Sequence, residues 1–487
     1  MFREYLVQKL GALYEDKIII FDFDNIKNRY NYVEILEEFG FKIIFYDDAT
    51  QFRNIYNNDT AYFYTRVAII VILKCYVPYD VLKSFYNVEI SWSSLFPELN
   101  KEVILNDKSL DLDLLYGAYS ELYENLHIYE KTIDYVVRRV YGKENVQNYI
   151  NKIEENLLAS IRDRSLDYKA WIKVAAQKGK AEYIAAQCGV NVNFSFIDDE
   201  FKKFIINEYK SLSSITSRES PIMVNRVLDY IAKSKEKVAL IVLDGMSVFD
   251  FNILSKGFES IDYEEDYIYA MIPTTTAISR QSLLSGKFPV QLERPFDLSR
   301  EEKQFHEKAK DLGYLEKQVL YTRGYNIHIG PNIKFLSVII NDIDNLVHGQ
   351  IQGREGMYND INLLAHSRKI QELIKELYSK GFNIYITADH GNTLCTGLGA
   401  IRGAGVEVET RSKRMVIFKD FVRNNENIDS YGLIDYPGYY LDKQYKYYIC
   451  NTGTSFDTKD SMVMTHGGIS IDEVIVPFIK IKAVQNG

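Results

Sequence analysis

The sequence predicts an α/β protein in three parts: a small N-terminal α/β domain over 1–105, a helical connector over 106–224, and a larger domain over 225–487 with a central, mostly parallel sheet flanked by helices. Three observations predict it. Short apolar runs that are continuous rather than alternating mark strands buried on both faces, and they alternate with segments of helical period. Between about 110 and 225 the runs stop and only the helical period persists. With 487 residues the chain has room for two or three domains with cores of their own.

The first part opens with Lys17-Ile18-Ile19-Ile20-Phe21-Asp22-Phe23-Asp24, passes through a helical stretch to Phe41–Asp48, and reaches a third apolar run at Val67–Leu73. These predict a small parallel sheet. In the connector Tyr, Leu and Ile recur at helical spacing among many charges, and the polar stretch Lys152–Asp167 reads as a solvated helix face. The third part begins near Val224. Val238–Leu243 is a buried strand ending at Asp244, and the runs Phe335–Ile343 and Asn383–Ala388 end likewise at Asp344 and Asp389. A helix over Tyr358–Lys380, closed by Gly381, links the last two, and further strands are expected at Arg414–Phe418 and Glu473–Ile481.

Composition narrows the function classes. A net charge of −9, a pI near 5.5 and the lack of any run of five basic residues argue against strong non-specific nucleic-acid binding. Cys75, Cys188, Cys395 and Cys450 stand singly and form no CxxC, which argues against a disulfide framework or a thiolate metal site and for a reducing, cytoplasmic setting. No stretch stays apolar for the ~18 residues a bilayer span needs, and no secretory leader opens the chain, so a soluble protein is expected.

All three strand-end aspartates fall at the sheet edge where open α/β folds bind ligands, with following helices aiming their N-termini at it. Asp244 alone would be a cap or turn former. Asp389-His390-Gly391 is more specific, because adjacent side chains at a strand-end turn can face one ion. Asp344 and His348, spaced i, i+4, share a face if the chain turns helical there, and His466-Gly467-Gly468 adds a loop imidazole. Only seven histidines exist, and three of them fall in this ordered set; His127, His306, His328 and His366 lack such a setting. Carboxylate oxygens mixed with imidazole nitrogens suit Zn²⁺, with Mn²⁺ as the substitute. Together with the hydroxyl-rich turn Pro273-Thr274-Thr275-Thr276, these residues supply what a two-metal phosphoryl-transfer site requires.

The ordered set Asp244, Thr276, Asp344-x-x-x-His348, Asp389-His390-Gly391 and His466-Gly467-Gly468 resembles the alkaline phosphatase superfamily over the last half of the chain. Pro273–Gly286 is similar both to the Pro-Thr-x-Thr turn of nucleotide pyrophosphatase/phosphodiesterases and to the nucleophile-x-Pro-Ser-Arg element of sulfatases. Either alignment implies Thr276 as nucleophile. The absence of a cysteine there and Ile278 in place of the proline argue against sulfatase activity, and Val347 replaces the glycine of the usual Asp-x-x-Gly-His. Together with the strand-Asp opening and Ser94-Leu95-Phe96-Pro97, the layout resembles PglZ-domain proteins of bacterial phage-exclusion (BREX-type) and two-component systems.

The resemblance implies one metal at Asp244, Asp389 and His390 beside Thr276, a second at Asp344, His348 and His466, and a phosphodiester substrate, nucleotide or oligonucleotide among the candidates. Arg280, one helical turn past Thr276, would support the nucleophile or touch phosphate, with a surface ion pair as the bland alternative. Arg402, Arg411, Lys413 and Arg414 are a candidate basic lip. The competing expectations are a phosphomonoesterase, a non-catalytic scaffold subunit of a phage-defence complex, and a haloacid-dehalogenase-like site at Asp22 and Asp24.

Overall fold

The computed structural model describes residues 1–46, 48, 50, 66–163, 166–234, 236–399, 413–419 and 431–484. Two compact units emerge, Met1–Tyr149 and Ile150–Gly487. Their boundary falls inside the helix Lys143–Asp163, so the helical segment expected over 106–224 is divided between them.

Unit 1 carries strands β1 (Lys17–Phe21), β2 (Lys42–Phe45), β3 (Val67–Val71) and β4 (Tyr86–Glu89) in the order β2-β3-β1-β4, all parallel. Strands β1, β2 and β3 are the three apolar runs, and the inner β3 is buried at every position. The outer strand β4 is mostly exposed and polar, which is why no apolar run marks it. Asp22 and Asp24 act as caps. Asp22 accepts from the amides of Ile26 (2.7 Å) and Lys27 (2.9 Å) and from the Tyr32 hydroxyl (3.0 Å), while Asp24 accepts from the Trp92 amide (2.9 Å).

Unit 2 is organised on a six-stranded sheet of β5 (Val238–Leu243), β6 (Ile261–Tyr269), β7 (Val319–Arg323), β8 (Phe335–Ile340), β9 (Asn383–Thr387) and β16 (Ile475–Val484), in the order β6-β16-β9-β5-β8-β7. The run β9-β5-β8-β7 is parallel, and β16 lies antiparallel to both β9 and β6. Strands β5 and β8 are wholly buried, as their unbroken apolar sequences require. Two three-stranded sheets complete the unit: β14-β10-β15 (Thr454–Ser455, Thr393–Gly397, Met462–Thr465) and β11-β13-β12 (Met415–Lys419, Tyr445–Ile449, Ile434–Tyr436). The fold class is therefore the expected one.

Several elements differ from expectation. Strand β8 stops at Ile340, and Asp344 lies in the first turn of the helix Asp342–Gly349, not at a strand end. The single helix expected over Tyr358–Lys380 is two, Gly353–His366 and Lys369–Ser379, joined at Arg368 in the left-handed region (φ 57°). The buried positions Met357, Ile361 and Ala365 step by four and then jump by five to Ile370, which breaks the helical stripe. Expected at Glu473, β16 starts at Ile475 because Ser470 caps a short turn, Ile471–Val474. All four cysteines are free, and among the described residues no helix is long and apolar enough to cross a membrane.

Candidate metal centre

Strand direction explains why dispersed residues meet. The C-terminal ends of β5, β8 and β9 lie side by side, with Val242 opposite Thr387 and Leu243 opposite Ile340, so Asp244, the helix Asp342–Gly349 and Asp389 leave the sheet at one edge. Since β16 runs against β9, the segment just before it, with His466, also lies at that edge. The far end of β6, Tyr269, pairs with Ile475, which delivers Pro273–Thr276 to the same place.

Six predicted ligands form two clusters, Asp244/Asp389/His390 and Asp344/His348/His466, each with its ligand atoms within 4.8 Å of one another. His390 Nε2 stands 3.7 Å from Asp244 Oδ1, 3.8 Å from Asp389 Oδ2 and 3.0 Å from Thr276 Oγ1. In the second cluster Asp344 Oδ1 is 3.3 Å from His348 Nε2 and 3.4 Å from His466 Nε2. The clusters adjoin, because the His390 and His466 rings stack at 4.2 Å. His348 is the partly exposed ligand, at 34 %, and opens its cluster to solvent.

The tautomers are set by the backbone. His390 Nδ1 faces the Gly391 carbonyl (3.0 Å) and His466 Nδ1 faces the Thr274 carbonyl (3.0 Å). Carbonyls only accept, so each Nδ1 carries the proton and each Nε2 turns a lone pair to the centre, the arrangement of metal-ligating histidines. The carboxylates point the same way. Asp389 Oδ1 accepts from the Gly245 amide (3.3 Å) and the His390 amide (3.1 Å), while its Oδ2 and Asp244 Oδ1 are buried without a hydrogen-bond donor. Such orphaned acceptors cost about 1–3 kcal/mol each, a cost a bound cation removes. The residues present fit a pair of divalent ions.

Charge crowding tells the same story. Burial, reinforced by Asp244, pushes Asp389 well above the ordinary carboxylate range, and burial also raises Asp244 against the pull of Arg280. Burial and the neighbouring His466 hold His390 well below the usual imidazole value. For Asp344, burial is outweighed by the nearby imidazoles of His348 and His466, which keep it low; for His466, burial is outweighed by Asp344, which raises it.

The sequence model of the BREX system PglZ alkaline phosphatase-like domain matches residues 223–481. The chain belongs to the PglZ family. Its PglZ domain thus holds every residue of both clusters. No curated protein matches the chain. Among solved structures, murine ectonucleotide pyrophosphatase/phosphodiesterase 5 is similar at 11% identity and a TM-score of 0.35, over 50% of this chain and 88% of that one. The human protein of the same name gives 13%, 0.34, 50% and 87%. Phosphonoacetate hydrolase from Sinorhizobium meliloti, in complex with phosphonoformate, gives 12%, 0.31, 50% and 90%. Similarity at this level does not transfer an activity.

Within the PglZ domain, Thr276 opens the helix Thr276–Ser285 and is half-buried, whereas Thr274 and Thr275 are buried. Thr274 spends its hydroxyl on the Gly468 carbonyl (2.9 Å). Arg280 is no surface ion pair: at 2 % exposure it hydrogen-bonds Glu301 (2.8 Å), pairs with Asp244 and lies 4.0 Å from Asp389. The candidate basic lip does not hold for Arg414, which is fully buried against Glu473. Lys413 is exposed and pairs with Asp457 (2.5 Å), and Arg402 and Arg411 lie outside the described residues. His328 is exposed. Sequence reasoning missed Glu301 and Glu473. Nothing local marks Glu301, but Ser470-x-x-Glu473 is a capping-box pattern that was readable.

Proposed function

We propose that this chain is a metal-dependent hydrolase of phosphoric diesters, with Thr276 as the nucleophile and Asp244, Asp389, His390 and Asp344, His348, His466 as the ligands of two Zn²⁺ or Mn²⁺ ions. The observation that carries the reading is the meeting of the Thr276 hydroxyl, the His390 Nε2 lone pair and two unpartnered buried carboxylate oxygens at one point. When bound, divalent cations there supply the Lewis-acid charge that acidifies a hydroxyl and offsets charge on phosphoryl oxygens.

Thr276 attacks phosphorus and displaces one alkoxide, which leaves as the alcohol with the proton given up by the threonine hydroxyl. The resulting threonyl phosphodiester still carries the other alcohol, and water cleaves it in a second step to a phosphomonoester and free Thr276. Its position at a helix start aims free backbone amides and the positive dipole end at the transferring group. Arg280 holds Asp244 in place through its second link to Glu301, which makes it a positioning residue in place of the phosphate contact its position in the sequence suggested. Diesters are preferred over monoesters because this cation, the one beside the carboxylates, is already committed to three acids. The family description sets such domains in BREX systems, and the four free cysteines fit a reducing compartment; both support a cytoplasmic role in anti-phage defence, with a nucleotide or oligonucleotide as substrate and other defence proteins as partners.

Elemental analysis of the purified protein, with hydrolysis of a chromogenic diester and monoester before and after chelation, tests this. Two metal equivalents and chelator-sensitive diester turnover are expected, and Thr276→Ala should keep the metal while losing at least about a hundredfold in turnover. Full activity in Thr276→Ala rejects the nucleophile. A metal-free, inert wild type points instead to a scaffold.

A further inference from the structure

Beneath the two clusters lies a buried ion pair that the ligand set does not explain. Glu473 and Arg414 are both fully buried and paired with each other. Glu473 Oε1 accepts from the Gly468 amide (2.8 Å) and lies 3.4 Å from the Thr274 hydroxyl, while Oε2 accepts from the Ser470 amide (3.0 Å) and hydroxyl (2.6 Å). Arg414 is fixed in turn by the carbonyls of Thr454 (3.0 Å) and Asn451 (3.2 Å). Its guanidinium packs against Gly468, where a methyl group would come within 2.7 Å of the central carbon.

From this hub two loops are tied together. The Thr274 hydroxyl accepts from the Gly467 amide (3.1 Å) and its carbonyl accepts from His466 Nδ1–H (3.0 Å), and Thr276 follows two residues later. Burying an ion pair costs desolvation that an apolar pair would avoid, so stability alone is a poor reason for it. We propose that Glu473, clamped by Arg414, is a positioning residue that sets the His466 imidazole and the Thr276 turn in register. This rests on the hydrolytic reading of the same site and deepens it.

Glu473→Gln keeps the shape but loses the charge; Thr274→Val removes only the bridging hydroxyl and is the milder probe. Three readouts apply to folded protein: zinc affinity by titration of the metal-free form, kcat and KM on a chromogenic diester, and the ¹⁵N-histidine spectrum of the metal-free protein. In Glu473→Gln, zinc affinity at one of the two sites is expected to fall about tenfold or more, as for other residues that orient metal ligands. A fall of similar size is expected in kcat, with KM little changed, and the Nδ1–H signature of His466 should broaden or vanish. Thr274→Val should shift all three the same way by less.

A residue that merely stabilises the fold would lower the unfolding temperature and move none of these. Wild-type zinc affinity and an intact His466 signature in either folded variant overturn the proposal, and if Glu473→Gln does not fold, Thr274→Val decides it. Should the wild type bind no metal and cleave no ester, the hydrolytic reading fails, while the metal-free histidine spectra still judge the positioning.

Discussion

Arg280 shows how much a single side chain can organise. It stands between Asp244 and Glu301 with almost no exposure, and removing it strips the buried Asp244 of its cation, whereas Glu301 keeps Arg323 and the Tyr321 hydroxyl. Arg280→Met should therefore destabilise the chain by about 3–5 kcal/mol in urea unfolding, the range for breaking a buried pair from one side. A change within experimental error would show that Asp244 finds another partner. Protons compete with metal where the metal-free pKa is raised, at Asp244, Asp389 and His466, and not at Asp344 or His390, which are lowered. Zinc affinity should accordingly climb as pH rises through and above the ordinary imidazole range, with proton release visible by titration calorimetry in buffers of different ionisation heat.

Away from the centre, burial pushes Asp198 up to about 7 despite the pull of Lys178. The folded state then holds this proton more tightly than the unfolded chain, so its share of stability is lost as pH rises from roughly 4 towards 7. Asp198→Asn, which keeps an acceptor for the Ile471 amide, should flatten that part of the melting-temperature profile by a few degrees. An unchanged slope would place the titration elsewhere. At this scale the candidate ligands were legible because three of only seven histidines fall in one order with the aspartates. Their supports were not. Glu301 and Glu473 are ordinary acids until the fold surrounds them with Arg280 and Arg414.

Among the elements, β5, β8 and β9 were readable because strands covered on both faces must be apolar at nearly every position. Edge strands escape that rule. Strand β6, Ile-Asp-Tyr-Glu-Glu-Asp-Tyr-Ile-Tyr, is acidic through its middle, and β7 carries Tyr321 and Arg323 to the rim, so neither announces itself. The glycine of Asp389-His390-Gly391 is needed for space rather than for an unusual φ: a methyl there would sit 1.9 Å from the Asp472 carbonyl oxygen. Gly391→Ala should push this loop from the Ile471–Val474 turn, cost about 1–3 kcal/mol and weaken metal retention, as read by calorimetry and elemental analysis. Retention of both properties would mean that the turn yields freely.

For the whole molecule, all six proposed ligands lie in the unit Ile150–Gly487. Hydrogen exchange with and without chelator should change at the segments around 244–249, 274–280, 342–348, 389–393 and 466–474, and stay constant in β1–β4; protection changes confined to β1–β4 would move the metal to the other unit. Fold class was legible at this scale because apolar runs report which strands are interior. The antiparallel placement of β16 was not, since a buried strand has the same sequence whichever way it runs.

That placement has a consequence for biosynthesis. Strand β6 finds its neighbour β16 only after some two hundred further residues have been made, so the sheet stays open along one side for most of translation. Pairing over such separation is slow, and until it happens an apolar flank of β9 is exposed. A ribosome stalled short of Ile475 would hold a chain with Thr276 and His390 already made but without the strand that carries the Thr276 turn to the sheet edge, a nascent species both inert and prone to capture by chaperones.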